Sequence, residues 1–257
     1  EKAKIFTDTL FNSGGGREQF DEVSIHLDRN DKDDPNTNEE AMAALRINVK
    51  SKDKELVGRL FSAKIIELAL SNYPGFFAGG GVKSGGPVLI YWPALVDSKH
   101  INEVVHFNGK SKELKPTSQL NFEEIYYQTE PVKIPDAPKG ETSHVPLGTL
   151  FGARSGDKGG CANLGVWAKD LDAFAFLSSF LTIEKLKELM PDLKEFEIER
   201  FDLPNILSLN FYIHDILEDG VSSNSRKDAQ AKSLGEYLRA KKANIPSSLL
   251  ETLNEYG

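Results

Sequence analysis

At 257 residues, with 39% hydrophobic and 27% charged side chains, the chain has material for one large or two ordinary domains and reads as soluble and globular. Its net charge of -8, with no stretch of clustered Lys and Arg interleaved with aromatics, argues against a nucleic-acid groove. The single cysteine, Cys161, excludes an intrachain disulfide and a cysteine-rich zinc site, and no apolar run is long enough to span a membrane, so an intracellular, cytoplasmic protein without a metal is expected. Residue 1 is Glu, and Met stands only at positions 42 and 190, so the natural N-terminus is expected to be missing and organellar targeting stays open.

Ile5, Leu10 and Phe11 follow a mixed helical spacing that stops at Gly14-Gly15-Gly16, and residues 20–27 alternate in part as a strand. Residues 29–40, with Asp31, Asp33, Asp34 and Pro35, read as an exposed acidic loop without calcium-loop spacing. A strand is expected over 43–50, and Val57, Leu60, Phe61, Ala63, Leu68 and Ala69 trace an amphipathic helix ending before Tyr73-Pro74-Gly75. Six glycines between 75 and 86 make a flexible loop; Lys83 offers a phosphate contact there, but the Gly-Lys-Ser/Thr ending of a P-loop is missing, and a strand over 87–92 follows instead of a helix. Pro131, Pro135, Pro138 and Gly140 mark a connector, which divides the chain into a first domain over 1–127, a linker over 128–144 and a second domain over 145–257.

In the second domain residues 147–154 alternate bulk with glycine, and Ala162, Leu164, Val166 and Ala168 alternate with Asn163, Gly165 and Trp167, so two strands form a hairpin whose tip is residues 155–160. Asp170 or Asp172, and then Thr182, cap helical segments that Pro191 stops. Residues 195–201 are strand-like, Pro204-Asn205 turns the chain, and Leu207, Leu209, Phe211 and Ile213 alternate strictly with Ser208, Asn210, Tyr212 and His214. Asp228 caps a last helix carrying Ala231, Leu234 and Leu238. Two hairpins, each followed by helix, predict an α+β domain: a four-stranded antiparallel sheet with helices on one face. The open face then carries Ser208, Asn210, Tyr212 and His214, with Arg154, Asn163 and Trp167 beside them.

The hairpin tip combines Gly156, Gly159 and Gly160, which permit unusual backbone turns, with the cations Arg154 and Lys158. An anion site is expected there, formed by Arg154, Ser155, Gly156, Lys158, Gly159 and Gly160 with Asn163 and Asn210, while Asp157 opposes the anion or pairs with Lys158. The opposing interpretation is a solvated hairpin whose charges serve solubility. His214, Asp157 and Lys158 are the catalytic candidates, His214 as a base that needs a carboxylate or substrate contact to be more than a satisfied histidine. Ser155 lacks a nucleophile-elbow setting, Cys161 is expected to be a buried inert thiol, and Trp167 suits a subunit interface.

Several of these segments carry a resemblance. Residues 152–160, Asn163-Leu164-Gly165-Val166-Trp167, Phe180-Leu181-Thr182, Leu203-Pro204-Asn205, Leu209-Asn210-Phe211 with His214, and Asp228 with Lys232-Ser233-Leu234-Gly235 resemble the C-terminal domain of the acyclic terpene utilisation (AtuA) family. Upstream, Glu55-Leu56-Val57-Gly58-Arg59, Tyr73-Pro74-Gly75 and Tyr91-Trp92-Pro93-Ala94-Leu95 resemble the closing part of that family's larger α/β domain, so the likeness spans most of 41–257. Cys161 departs from the family's usual Asn, and the family's first Gly-rich segment is absent. The resemblance implies a ferredoxin-like second domain behind a partial α/β domain, and a role in breakdown of acyclic terpenes and branched-chain acids, on an acyl-CoA thioester or related carboxylate. No resident cofactor is identified, coenzyme A entering only as part of a thioester substrate, and the resemblance transfers no catalytic residue. Whether the chain is an enzyme, a homo-oligomer or partner subunit, or a non-catalytic assembly module that docks through its open sheet face stays open.

Overall fold

The computed structural model describes residues 1–69, 74–77, 85–114 and 131–251. They form two compact units, Glu1–Val88 and Leu89–Gly257.

In the first unit α1 (Lys2–Ser13) precedes a hairpin of β1 (Glu22–Asp28) and β2 (Ala44–Lys50), and α2 (Phe61–Leu68) follows. The register pairs Val23 with Val49, Ile25 with Ile47 and Leu27 with Leu45 on one face. The first two pairs and Leu45 pack against a core of Phe6, Leu10, Phe11 and Phe20. Phe20 meets Phe11 and Phe61 edge-on, with ring centroids 6.0 and 5.6 Å away. Full burial of one such ring stabilises by about 1.5–3 kcal/mol, which is how a two-stranded ribbon, marginal by itself, is held. The helix expected from Lys54 onward is broken: Leu56–Leu60 is a π-helical turn in which Gly58 leaves helical backbone space (φ -91°, ψ -118°), and the regular helix begins only at Phe61. Its expected end, and Gly79, Gly80, Gly81 and Lys83 of the Gly-rich segment, lie outside the described residues.

Residues 87–92 do not form the expected strand. Pro87 and Pro93 have no amide hydrogen to give a ladder, and the Tyr91 N–H instead donates to the Asp219 carbonyl at 3.1 Å. A hairpin of β3 (Glu103–Phe107) and β4 (Lys110–Leu114) follows, turning at Asn108 and Gly109, both with positive φ (47° and 71°). An Asn-Gly pair between strands is the strongest short hairpin signal a sequence offers, and this hairpin is not among the elements expected above.

The second unit's main sheet contains β6 (Gly152–Lys158), β7 (Cys161–Trp167), β8 (Ile198–Leu203) and β9 (Ser208–Ile213), in the order β6-β7-β9-β8 and antiparallel throughout. Helices α3 (Leu171–Phe180) and α4 (Ile183–Leu189) connect the two hairpins, and α5 (Leu234–Ala240) closes over β6. The expected caps form: Asp170 accepts from the Ala173 N–H at 2.8 Å and Thr182 from the Lys185 N–H at 3.1 Å. Ala162, Leu164, Val166, Leu209, Phe211 and Ile213 face the helices and are buried with Phe174, Leu177, Leu186 and Leu238. The four-stranded antiparallel sheet with helices on one face is therefore present.

Three expectations change. Residues 147–151 are not strand; Leu147–Thr149 is a 3-10 turn, because Leu147, Leu150 and Phe151 are all buried and alternation would expose one of them. Thr142–Pro146 (β5), which crosses the expected boundary between connector and second domain at 144/145, pairs with Lys242–Pro246 (β10), and α6 (Ser247–Glu251) follows. Asp228 lies ahead of α5 instead of at its cap, accepting from the Lys232 N–H, the Ser233 N–H and the Ser233 hydroxyl at 2.8, 2.8 and 2.7 Å. Burial pushes its carboxyl up, but those three bonds and the charge of Arg226 outweigh burial and hold it below the usual carboxylate value. On β8, Arg200 is fixed by the Leu181 carbonyl at 3.1 Å, the Ser178 hydroxyl at 3.0 Å and Asp202 at 2.6 Å.

Candidate functional site

Because side chains alternate along a strand, the registers sort the sheet into two faces. The uncovered face is a grid. One row runs Gly152, Trp167, Ser208, Leu203; the next Arg154, Gly165, Asn210, Phe201; the next Gly156, Asn163, Tyr212, Glu199; Lys158 and Cys161 begin a fourth, which His214 continues just beyond β9. Strands lie about 4.8 Å apart and rows about 7 Å apart, so the four rows span roughly 20 Å.

The grid brings Arg154, Lys158, Asn163, Asn210 and His214 to one surface. Asn163 Nδ2 donates to Asn210 Oδ1 at 3.2 Å. Arg154 is exposed and makes no ion pair among the described residues. His214 has a carboxylate neighbour: Nε2 lies 2.7 Å from Glu199 Oε1. An ionised carboxylate only accepts, so Nε2 carries the proton there and Nδ1 is left to take one. The Tyr212 ring meets the His214 ring edge-on at 4.9 Å. A hydrogen bond with the Cys161 thiol, then burial, then the negative charges of Glu199 and Asp215, raise the Tyr212 phenol above its ordinary value. Cys161 is thus half-buried beside Tyr212, not sealed in the core.

The other candidates are placed differently. Residues 155–158 are not a loop but the end of β6, paired with β7, and the turn is only Gly159-Gly160. Gly159 takes the positive φ (66°) that a two-residue hairpin requires at its first turn position. Gly160 serves packing: its carbonyl accepts from the Leu217 N–H at 2.8 Å, and a Cβ on it would sit 2.1 Å from the Glu218 carbonyl oxygen. Ser155 faces the helices, buried, its hydroxyl accepting from the Gly235 N–H at 3.0 Å. Asp157 is on the same side as Ser155 by parity and pairs with Lys232 at 3.4 Å, whereas Lys158 donates to the Asp157 backbone carbonyl at 3.0 Å. The Lys232 ammonium also covers Gly156. Asp157 and His214 therefore do not meet, and the expected cradle of backbone amides at 155–160 is mostly sheet.

Glu199 was not among the sequence-derived candidates. Alternation puts it outward, next to the inward Ile198, but only the β8–β9 register sets it beside His214. A concavity of about 450 Å³ is lined by Leu89, Ile90, Tyr91, Asp157, Gly159, Val221 and Ser222. Among the described residues no group of three or more His, Cys, Asp or Glu side chains is arranged to hold a metal, and no helix is long and apolar enough to cross a membrane.

The model of the acyclic terpene utilisation family protein AtuA matches residues 1–107, and that of the AtuA ferredoxin-like domain matches residues 145–244. The first match starts at residue 1 and so takes in the acidic segment before residue 41, to which no resemblance was assigned. No curated protein and no solved structure matches the chain. Bearing both of its domains in order, the chain belongs to the acyclic terpene utilisation (AtuA) family.

Proposed function

We propose that this AtuA-family chain is a component of acyclic terpene and branched-chain acid catabolism that binds an acyl-CoA thioester or related carboxylate on the open face of its four-stranded sheet. The observation that carries this reading is the 2.7 Å contact of His214 with Glu199 on the same surface as Arg154, which has no ion pair among the described residues, and the Asn163–Asn210 pair. A histidine oriented by a carboxylate is the arrangement of a general base, and an exposed guanidinium suits a carboxylate or thioester-linked anion. Arg154 and Lys158 hold the anionic group, and His214, oriented by Glu199, moves the proton. Ser155, Gly159 and Gly160 support the strand and turn that present Arg154 and Lys158.

A thermal-shift panel of acyl-CoA thioesters and free branched acids tests this. Ligand at a hundredfold excess over its dissociation constant stabilises by about 2.7 kcal/mol, a shift of several degrees. The wild type is expected to show it and the Arg154→Ala/Lys158→Ala double variant to lose it; an equal shift in both removes the open face as the ligand site. A second reading is favoured by the exposure of Trp167 (43%), Phe201 (46%) and Leu203 (41%) on that face: a docking surface for a partner or second copy. Absence of any ligand shift, together with loss of an oligomer in Trp167→Ala, supports that one.

A further inference from the structure

Several glycines in and around this sheet are explained by what presses on them. A Cβ at Gly152 would lie 2.2 Å from the Trp167 ring, one at Gly160 would strike a backbone oxygen, and one at Gly235 would crowd the β6 backbone at 3.3 Å. Gly165, midway along β7, is different. A Cβ there would meet only the Arg154 carbonyl oxygen at 3.6 Å and Asn210 Oδ1 at 4.0 Å, ordinary contacts, and its φ is not in the left-handed region. The fold has room for a side chain at this position and lacks one. Glycine inside a strand weakens it, and a common reason for one is close approach of something else.

What surrounds the gap is specific. Arg154 flanks Gly165 on β6 and Asn210 on β9, with Trp167 and Asn163 before and after it on the same face of β7. Asn163 donates to Asn210 Oδ1, and Asn210 Nδ2 has no partner among the described residues. Beyond Asn210 stand the exposed Phe201 and, one row away, Leu203. The cations at the face, Arg154, Lys158 and the Lys232 ammonium over Gly156, are set against Glu199 and the Asp157 partner of Lys232, a balance that suits one negative charge and not the several of a nucleotide diphosphate.

We propose that Gly165 is the floor of a subsite for the carboxylate end of an aliphatic monocarboxylic acid, held by Arg154 and the Asn210 amide, with the chain lying beside Trp167 toward Phe201 and Leu203. This rests on the open face being the ligand face and narrows the ligand from acyl-CoA or acid to the free acid. A carboxylate there receives two donors, a guanidinium and an amide, while its chain covers apolar surface otherwise left in water.

Octanoate, octan-1-ol, octanoyl-CoA and coenzyme A, followed by thermal shift and calorimetry on the full chain, are the probes. Octanoate is expected to stabilise the wild type more than octan-1-ol or coenzyme A does. Arg154→Ala and Gly165→Val are expected to weaken octanoate binding roughly tenfold or more, at a ligand-free melting temperature within a few degrees of wild type. Gly165→Ala, which adds only the methyl that the backbone accommodates, keeps the test valid if the valine disturbs folding and is expected to weaken binding less. Unchanged octanoate affinity in Gly165→Val and Gly165→Ala overturns the subsite, as does octan-1-ol binding as well as octanoate. An octanoyl-CoA shift that survives Gly165→Val but not Arg154→Ala/Lys158→Ala leaves the open-face reading standing and sinks this one. No shift with any of the probes sinks both.

Discussion

The two faces of the β6-β7-β9-β8 sheet use the same strands and differ in nearly everything else. Toward the helices Leu164, Val166, Leu209, Phe211 and Ile213 are closed off from water. One residue along in each case, Asn163, Gly165, Asn210, Tyr212 and His214 stay half-exposed. Stability is therefore concentrated on one side of a single layer, and the other side carries polar and ionisable groups whose removal costs the fold little. A face that can be varied without unfolding the domain is where chemistry is free to reside.

Neighbouring residues on β9 break or sharpen that contrast most strongly. Phe211→Ala empties a fully buried site and is expected to cost about 3–5 kcal/mol, whereas Tyr212→Ala, one position on, is expected to cost much less. Urea denaturation of the two variants checks this; equal losses would mean that the open face is covered after all. Next in size is Gly160→Ala. It forces a methyl onto the Glu218 carbonyl and is expected to cost roughly 1–3 kcal/mol, read as a lower melting temperature, although the turn is at the surface. The smallest effect concerns Asp228, whose three hydrogen bonds order the approach to α5. Asp228→Ala is expected to cost about 1 kcal/mol at neutral pH. Since its carboxyl sits below the ordinary value in the folded state, the unfolded chain takes up the proton first as pH falls. The stabilisation is present above the unfolded carboxylate value near 4 and is lost as pH falls through the lower folded-state value, so melting curves of wild type and Asp228→Ala should converge on acidification.

Alternation and capping made much of this domain legible. The strict period of residues 207–214, the stop at Pro191 and the caps Asp170 and Thr182 all have local causes, and the face bearing Arg154, Asn163, Asn210 and His214 followed from parity alone. Pairings between distant segments did not show themselves. Thr142–Pro146 and Lys242–Pro246 are short, polar and about a hundred residues apart, so nothing in either announces the other. The His214–Glu199 contact likewise depends on a register that only the Pro204–Ile206 turn and the cross-strand packing set. Residues 155–158 were misleading because glycine and charge look like a loop, whereas the partner strand β7 holds them extended.

Among the described residues, a sheet in this order ends on two strands with unpaired backbone edges, β6 and β8, and such edges are where chains aggregate. Three of the six residues of β8 are charged, Glu199, Arg200 and Asp202, and Arg200 is tethered by three partners, so a fifth strand approaching that side would have to displace a fixed ionic network. Asp157 and Lys232 place a second ion pair at the β6 side. Charge thus stands at both edges of the sheet, where it opposes strand addition, and substitutions of Arg200, Asp202, Asp157 or Lys232 are to be judged by solubility as well as by stability.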